Sequence, residues 1–498
     1  MRTRIRWGNI IIIGHRTLGT VQQQVAAIVV LLLVVLAVCA ERGYGAIPEH
    51  LVTNLPGQPV VSFRQYAGYI PVDASGSKQL FYWFVEADHK DAASLPIAFW
   101  FNGGPGCSSI GDGLLSELGP FRVTASEDLI LNEHSWNKAA NVIFVDSPVD
   151  VGFSYSTVAS DYSNFTDSQI ALDAYQFLVN WFKSYPEYNN NELYIIGESY
   201  GGHYVPNLVQ QVVNHNKDPG AYQLKNLKGF QVGNAWTDPY WDNKGSVEWF
   251  HSHSLISDQT YETVIGNCNF TDEFEVDYPV TNAECNDASY DLYYQLGGLD
   301  IYNVYVPSCN LPYNSSVRSL MKSKIHLFPA AAAIDPCADF VTPYLNNPAV
   351  KAALHVLPNI QWTECSGLVL QNYFFPDIVR SMIPVYEQLL QADLRIWVYS
   401  GDFDGRVPTT GTREWINTLD LPIVKAWYPW TQPTPTNTTG LYDPQVDGYT
   451  QVYGKKFTFA SVRASGHLVP QDQPARALTL FKGFLSGKPL VKFVPVGF

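Results

Sequence analysis

A single stretch, LYIIGESYGGHYVP at residues 193–206, predicts both the fold and the chemistry of this chain. Its four leading apolar residues are typical of a buried strand, and the pattern G-x-S-x-G follows at 197–201. On a tight turn from strand to helix, a serine points its hydroxyl out of the sheet, and flanking glycines tolerate the crowded backbone. Ser199 is therefore a candidate nucleophile, with an ordinary serine in a glycine-rich turn as the alternative.

Strands and helices alternate along the chain on both sides of this stretch. Two strands at 66–72 and 79–86 flank a turn, and a helix is expected to begin at Thr166 or Asp167. Further buried strands are predicted at 96–101, 141–146, 227–232, 394–400 and 457–463, and a closing helix at 472–486. Strands that alternate with helices favour an α/β fold with a mainly parallel central sheet.

The alternation breaks between residues 237 and 390, where the apolar segments look helical. We interpret this part as a helical, disulfide-containing insertion over the sheet and not as a separate enzyme. The predicted organisation is a signal peptide at 1–40, a core in two parts at 47–236 and 391–498, and the insertion at 237–390. Within the insertion, residues 318–333 are expected to form an exposed linker that could be excised.

The composition excludes several classes of function. The formal charge is −15 and 46% of the residues are hydrophobic, so the chain can build a large core and should repel nucleic acid and anionic membranes. The sequence has no basic stripe, P-loop, HExxH motif or paired CxxC motif. We therefore predict no nucleic-acid partner, no metal and no cofactor.

The N-terminus predicts export. A basic stretch precedes AAIVVLLLVVLAVCA at 26–40, which suits a signal-peptide core and is short for a membrane span of about 20 residues. Cleavage after Ala40 is expected, with an uncleaved anchor as the alternative. Loss of Cys39 would leave six cysteines, an even number typical of disulfides in an exported chain. Four glycosylation sequons agree with a secreted or vacuolar glycoprotein: Asn164, Asn269, Asn314 and Asn437.

A base and an acid follow Ser199 in the order that α/β hydrolases use. The strand at 394–400 runs into Gly401-Asp402-Phe403-Asp404-Gly405, and the strand at 457–463 into a loop with His467. An imidazole can take the proton of a serine hydroxyl, and a carboxylate fixes the imidazole tautomer. His467 is the predicted base, and either Asp404 or Asp402 the orienting acid.

The loop at 102–107, Asn-Gly-Gly-Pro-Gly-Cys, follows another buried strand. It carries no Walker lysine and no G-x-G-x-x-G pattern, so a phosphate site is disfavoured. Two glycines at the end of a strand can turn a backbone N–H toward a developing oxyanion, where loss of one donor costs roughly 2.7–4 kcal/mol. The loop is therefore a candidate oxyanion site.

These motifs together resemble the eukaryotic serine carboxypeptidases, closest to the plant and vacuolar type. The resemblance spans roughly residues 50–490, and the implied fold is an α/β hydrolase with a helical insertion between nucleophile and catalytic acid. It rests on NLPGQP (54–59), FNGGPGCSS (101–109), SELGPF (116–121), VGFSYS (151–156), GESYGGHYVP (197–206), GNAW (233–236), YSGDFDGRVP (399–408) and SGHLVP (465–470).

The resemblance implies a role for each matching residue. Ser199 is the nucleophile, Asp404 rather than Asp402 the orienting acid, and His467 the base. The backbone N–H groups of Gly104 and Tyr200 form the oxyanion hole. The C-terminal carboxylate of a peptide or protein substrate is bound by four residues: Asn102, Gly103, Glu198 and, behind Glu198, Glu117. A carboxylate beside the carboxylate of the substrate repels it unless a proton is shared, so binding should weaken above mildly acidic pH.

The resemblance also implies three disulfides, Cys107–Cys365, Cys268–Cys285 and Cys309–Cys337. The chain departs from the family at two places. Asp150 stands where relatives usually have glycine, which puts the local turn in question. Leu468 stands where relatives with a preference for basic residues carry an acid, so an apolar C-terminal residue should be preferred.

Two other functions are alternatives to peptide hydrolysis. Some plant relatives use the same triad as acyltransferases, but these tend to have Asp before the nucleophile, where this chain has Glu198. A non-catalytic role, such as chaperoning a partner glycoprotein, is disfavoured by an intact triad. The sequence leaves open whether the protein forms a homodimer.

Overall fold

The computed structural model describes residues 47–271, 282–308, 339–433 and 445–494 of the 498-residue chain. The predicted signal peptide at 1–40 and the linker at 318–333 lie outside these residues. The same is true of the Cys309–Cys337 pair and of two sequons, Asn314 and Asn437.

The described residues form fourteen strands and thirteen α-helices, with a nine-residue π-helix, Ser109–Glu117, after the third strand. The strands are β1 (Gln65–Pro71), β2 (Lys78–Val85), β3 (Ile97–Phe101), β4 (Phe121–Val123), β5 (Leu129–Leu131), β6 (Asn141–Val145), β7 (Tyr155–Ser156), β8 (Leu193–Glu198), β9 (Leu227–Gly233), β10 (Arg395–Gly401), β11 (Ile423–Thr431), β12 (Gly448–Tyr453), β13 (Phe457–Val462) and β14 (Val491–Lys492). The helices are α1 (Asp167–Ser184), α2 (Gly201–His215), α3 (Pro239–Ser252), α4 (Asp258–Asn267), α5 (Ala283–Leu296), α6 (Val341–Asn346), α7 (Pro348–Ala353), α8 (Gly367–Asn372), α9 (Phe375–Ile378), α10 (Ile383–Leu389), α11 (Thr409–Thr418), α12 (Val469–Asp472) and α13 (Pro474–Ser486).

One large sheet organises the molecule, with strand order β1-β2-β6-β3-β8-β9-β10-β13-β12-β11-β14 and β7 paired with β2. Six neighbouring strands of this sheet are parallel to one another: β6, β3, β8, β9, β10 and β13. Antiparallel strands flank them on both sides. All six parallel strands therefore end at the same edge of the sheet, where an open α/β sheet carries its functional groups.

In the parallel part of the sheet both faces are buried, and side chains alternate between the two faces along each strand. In β3, Phe99 and Phe101 pack in the core cluster that contains α1 and α2, whereas Ala98 and Trp100 pack in the cluster on the other face. The second cluster includes residues of the π-helix and of α13. A strand residue's position in the sequence thus tells which face of the sheet it occupies.

Helix α1 begins where the sequence predicts. The Thr166 side chain accepts a hydrogen bond from the Gln169 N–H at 3.2 Å, which satisfies one of the free donors in the first turn. The predicted apolar face is buried against the sheet, and Phe177, Leu178 and Trp181 are fully enclosed in the first core cluster.

Between β9 and β10 the described residues form helices only, from α3 to α10. Part of this region has its own small core, in which Trp249 of α3 packs with Val264 of α4 and Leu292 of α5. The helices agree with the prediction that the apolar segments of residues 237–390 are helical.

Three features of the fold are absent from the sequence prediction. The π-helix Ser109–Glu117 follows the glycine loop, and β4 pairs with β5 in a separate small sheet. Strands β11 and β12 extend the main sheet. Most of β11 is exposed on both faces, so it lacks the two-residue alternation that marks a half-buried strand.

The cap of α1 gives a stability test. Replacement Thr166→Ala removes the acceptor for the Gln169 N–H and should lower the free energy of unfolding by about 1 kcal/mol. Thr166→Ser keeps the acceptor and should stay close to the parent. Urea unfolding followed by fluorescence measures both, and equal losses in the two variants would contradict a capping role.

Candidate active site

The predicted nucleophile lies on a strained turn between β8 and α2. Ser199 has a positive φ of 58°, a conformation that costs energy in a non-glycine residue. Two backbone hydrogen bonds hold this conformation: the Ser199 N–H donates to Gly233 O, and the Trp236 N–H donates to Ser199 O, both at 3.0 Å. A side chain at Gly197 would collide with Phe101 O of β3, so the first glycine of the motif is needed for close packing.

An aspartate–histidine pair lies at the ends of β10 and β13. The distance from His467 Nδ1 to Asp404 Oδ2 is 2.7 Å, and both side chains are buried. The peptide N–H of His467 donates to Tyr302 O at 2.7 Å. His467 Nε2 has no hydrogen-bond partner among the described residues, so this nitrogen is free to receive a proton. Ser199, Asp404 and His467 all follow the carboxyl ends of parallel strands of one sheet.

The two candidate acids have different environments. Asp404 accepts hydrogen bonds from the N–H groups of Arg406 (2.7 Å) and Val407 (3.2 Å) besides its contact with the imidazole. Asp402 instead accepts from the Ala464 N–H at 2.7 Å, and burial raises its pKa. The geometry thus brings Asp404, and not Asp402, to the histidine.

Asn234 is a part of this site that the sequence analysis missed. Its Nδ2 donates to Asp404 Oδ2 at 2.7 Å, and its Oδ1 accepts from the Gly401 N–H at 3.1 Å. It follows β9 directly, in the motif GNAW, between the strands that carry Ser199 and Asp404. One feature of the sequence could have indicated this role: Asn234 is a polar residue at the end of β9, and β9 precedes β10, the strand that leads to Asp404.

The glycine loop lies against the nucleophile turn. A side chain at Gly103 would collide with the Tyr200 backbone nitrogen and lie 2.8 Å from Glu198 O, so only glycine permits this approach. Gly104 has φ 110°, a conformation that also favours glycine. The structure therefore brings together the two segments that carry the predicted oxyanion donors, Gly104 and Tyr200.

Asp146, at the end of β6, anchors the start of the π-helix. Its Oδ1 accepts from Ser108 Oγ at 2.7 Å and from the Ile110 N–H at 3.3 Å, and its Oδ2 accepts from the Phe153 N–H at 3.1 Å. Burial raises the pKa of Asp146 to about 7, with these hydrogen bonds opposing the shift. This residue, also missed from the sequence, ties the glycine loop to a neighbouring strand.

Two buried glutamates meet beside the glycine loop. Asn102 Nδ2 donates to Glu117 Oε1 at 3.0 Å and is 3.3 Å from Glu198 Oε1. Trp100 Nε1 in turn donates to Asn102 Oδ1 at 2.5 Å, which fixes the orientation of the amide. Glu117 and Glu198 are 0% and 1% exposed, so neither carboxyl group is solvated from outside.

The pKa values of both glutamates are raised. Burial raises the pKa of Glu198 well above its usual value, and the adjacent Glu117 carboxyl raises it further. The pKa of Glu117 is raised by burial as well, although its hydrogen bonds to Glu198 and Asn102 oppose the shift. Because two like charges in a buried site repel each other, the pair retains a proton well above the pH at which a free glutamate ionises.

Two of the implied disulfides lie in the described residues, Cys107–Cys365 and Cys268–Cys285. The first joins the glycine loop to the region before α8. Asp150 adopts a positive φ of 73°, which explains why glycine suits this position, and its Oδ2 accepts from Ser366 Oγ at 2.5 Å. The turn is thus kept, with the aspartate tied to the residue after Cys365.

The remaining predicted residues lie at the surface or beside the histidine. Leu468 is half-buried and directly precedes the short helix α12. The sequon residues Asn164 and Asn269 are exposed. Among the described residues no helix has both the length and the apolar character needed to cross a membrane.

Comparison with known proteins identifies the family. The family profile described as serine carboxypeptidase matches residues 56–487. Serine carboxypeptidase-like 26 of Oryza sativa subsp. japonica is 43% identical over 459 residues, covering 88% of this chain and 90% of that protein. Serine carboxypeptidase 24 of Arabidopsis thaliana is 40% identical over 451 residues, covering 88% of this chain and 92% of that protein.

A solved structure shows the same fold. The crystal structure of Kex1Δp, a prohormone-processing carboxypeptidase from Saccharomyces cerevisiae, superposes with a TM-score of 0.71 at 24% identity, covering 89% of this chain and 96% of that one. The predicted α/β-hydrolase fold with its central sheet is confirmed. The chain therefore belongs to the serine carboxypeptidase family and is an enzyme of the serine-type carboxypeptidase class.

Proposed function

We propose that this protein removes the C-terminal residue of peptides at acidic pH, by way of an acyl-enzyme on Ser199, and that it prefers apolar C-terminal residues. The observation that carries this proposal is the buried Asn102–Glu117–Glu198 cluster, of which Glu198 directly precedes Ser199. A proton-holding carboxyl pair with an oriented amide is suited to bind one more carboxylate. Burial of two carboxyl groups costs free energy, which is consistent with a functional role for the pair.

The proposed chemistry uses three side chains. Ser199 Oγ attacks the carbonyl carbon of the last peptide bond while His467 Nε2 takes its proton, and Asp404 stabilises the resulting imidazolium. The imidazolium then protonates the leaving amino group. Water, deprotonated by His467, releases the shortened peptide from the acyl-enzyme. The backbone N–H groups of Gly104 and Tyr200 stabilise the oxyanion in both steps.

The same cluster accounts for the restriction to chain ends. A substrate carboxylate would accept from Asn102 Nδ2 and the Gly103 N–H and share the proton of Glu198, with Glu117 behind it. A chain that continued past this point would leave buried donors unpaired, and the penalty rejects internal bonds.

We also propose that the protein is a glycoprotein of the secretory pathway, secreted or vacuolar. The signal-peptide pattern at 1–40 and the four sequons support this, as do two disulfides, which persist in oxidising compartments. An acidic compartment suits a site that needs a shared proton.

The activity is tested with purified protein and N-blocked dipeptides at pH 5. Free C-terminal amino acid should appear, and amidation of the substrate C-terminus should reduce turnover strongly. Asp404→Asn should lower kcat by about 10⁴-fold, because the amide holds the wrong imidazole tautomer. Asp402→Asn is the matched control. It keeps an acceptor for the Ala464 N–H and should stay within about tenfold of the parent.

Equal losses in the two aspartate variants would contradict the assignment of the acid. If the parent releases no amino acid from any dipeptide but transfers acyl groups from glucose esters, the reaction is acyl transfer and the proposal of peptide hydrolysis is wrong.

Substrate binding should depend on pH through Glu198. Below the raised pKa of the glutamate pair a proton is available to share, so KM is low; as pH rises through that pKa the proton is lost and KM rises. Glu198→Gln is neutral at every pH and should show a nearly flat KM. Steady-state kinetics from pH 4 to pH 8 measure this.

Glu192→Gln serves as the control for this experiment. Glu192 is exposed just before the same strand, so the variant should keep the pH dependence of the parent. The proposal of a shared proton fails if Glu198→Gln follows the parent profile as well.

The preference for apolar C-terminal residues rests on Leu468, which adjoins His467. In a dipeptide series that varies only the last residue, kcat/KM should be about tenfold higher for Phe or Leu than for Lys or Arg. Leu468→Glu should reverse this order, since a carboxylate would pair with a basic side chain. A parent enzyme that favours Lys or Arg would rule out the assignment.

A further inference from the structure

Three neighbouring strands place Glu198 and Tyr399 on either side of a glycine. Glu198 of β8 pairs with Gly233 of β9, which pairs in turn with Tyr399 of β10. Residues that pair across adjacent strands point to the same face of a sheet. A side chain at Gly233 would collide with the Tyr399 ring and hydroxyl, so the ring lies across the glycine, on the side of Glu198.

Gln231 lies on this face too, two residues before Gly233. Its neighbours in β9, Phe230 and Val232, pack in the core cluster on the opposite face, which leaves Gln231 on the face of Tyr399. An amide in the centre of a sheet is unusual among apolar side chains, and it needs partners for both its donor and its acceptor atoms.

Three buried polar atoms on this face have no hydrogen-bond partner among the described residues: Tyr399 Oη, Gln231 Oε1 and Gln231 Nε2. The two side chains that carry them are at most 1% exposed. Buried polar groups that do not pair with protein groups are usually satisfied by an internal water with two to four polar partners.

We propose that Tyr399 is a positioning residue for the Glu117–Glu198 pair, to which its hydroxyl donates through a buried water that Gln231 also holds. The consequence for substrate binding rests on the proposed carboxypeptidase function. A donor aimed at the pair stabilises its ionised form, so it sets the pH up to which the shared proton is kept.

The other charged groups around the pair come from four elements. The acidic groups among them raise the pKa of the pair, and the basic groups lower it. They are Asp112 of the π-helix, Arg122 of β4, Asp404 after β10 and His467 after β13. Tyr399 is the additional group from β10, and burial together with the two glutamates raises its pKa well above the usual value. Its hydroxyl therefore keeps its proton and can act as a donor throughout the working range.

The test is Tyr399→Phe, which removes the hydroxyl and keeps the ring. Loss of the donor destabilises the ionised pair, so the pH at which KM rises should move upward by about one unit. Labelling of Ser199 by a serine-directed phosphonate at pH 5 should stay within about threefold of the parent, because the triad is unchanged. Gln231→Leu should move the KM profile in the same direction by a smaller amount, since it removes one anchor of the water.

Tyr386→Phe is the matched control. Tyr386 in α10 also has a buried hydroxyl, but it packs in the cluster on the opposite face of the sheet, near Phe230 and Trp415. Its KM profile should coincide with that of the parent. The inference is overturned if Tyr399→Phe leaves the profile in place, moves it to lower pH, or changes only expression and stability.

A second measurement does not depend on the variants folding. A crystal structure of the parent protein at atomic resolution should show an ordered water within 3.2 Å of Tyr399 Oη and of the Gln231 amide, and its absence overturns the inference. If the parent releases no C-terminal amino acid, the proposed function has failed and this structural test still stands. If it does release one and the water or the shift is missing, only the present inference has failed.

Discussion

Parallel pairing of six strands is the constraint on which the rest of the molecule depends. Because parallel strands share a direction, their carboxyl ends meet at one edge of the sheet, and the residue that follows each strand is delivered to the same place. In this protein each of the six ends leads into a polar residue of the site. In sheet order they are Asp146, Asn102, Ser199, Asn234, Asp404 and His467. The site is thus assembled from short local motifs by the register of the sheet.

This assembly buries carboxyl groups, which lose their hydration. Asp146 and the Glu117–Glu198 pair are both removed from water, and protein groups replace the water differently in each case. Asp146 receives three hydrogen bonds from the chain around it and mainly fixes the π-helix. The glutamate pair receives one oriented amide, and burial raises the pKa of both carboxyl groups. Perturbed pKa values in a buried carboxyl pair next to a nucleophile turn are typical of functional sites, whereas Asp146 is held by the chain as a structural carboxylate.

The region between β9 and β10 holds the loops of the candidate site in place. The Cys107–Cys365 disulfide and the Asp150–Ser366 hydrogen bond attach it to the glycine loop and to the turn after β6. Tyr302, from the same region, receives the backbone hydrogen bond of His467. These contacts hold the loops that form the site, so the histidine is oriented from two sides, by a carboxylate and by a backbone carbonyl.

Local sequence was sufficient to predict the α/β fold, all six parallel strands, the start of α1 and the candidates Ser199, Asp404 and His467, because each depends on residues close in the chain. Strand periodicity, a helix cap and a glycine turn are local properties. The residues alone left Asp402 and Asp404 open, and said nothing of Asn234, Asp146 or Tyr399. Their roles come from contacts between strands far apart in sequence, and a side chain's partners across a sheet are decided only when the strands are aligned.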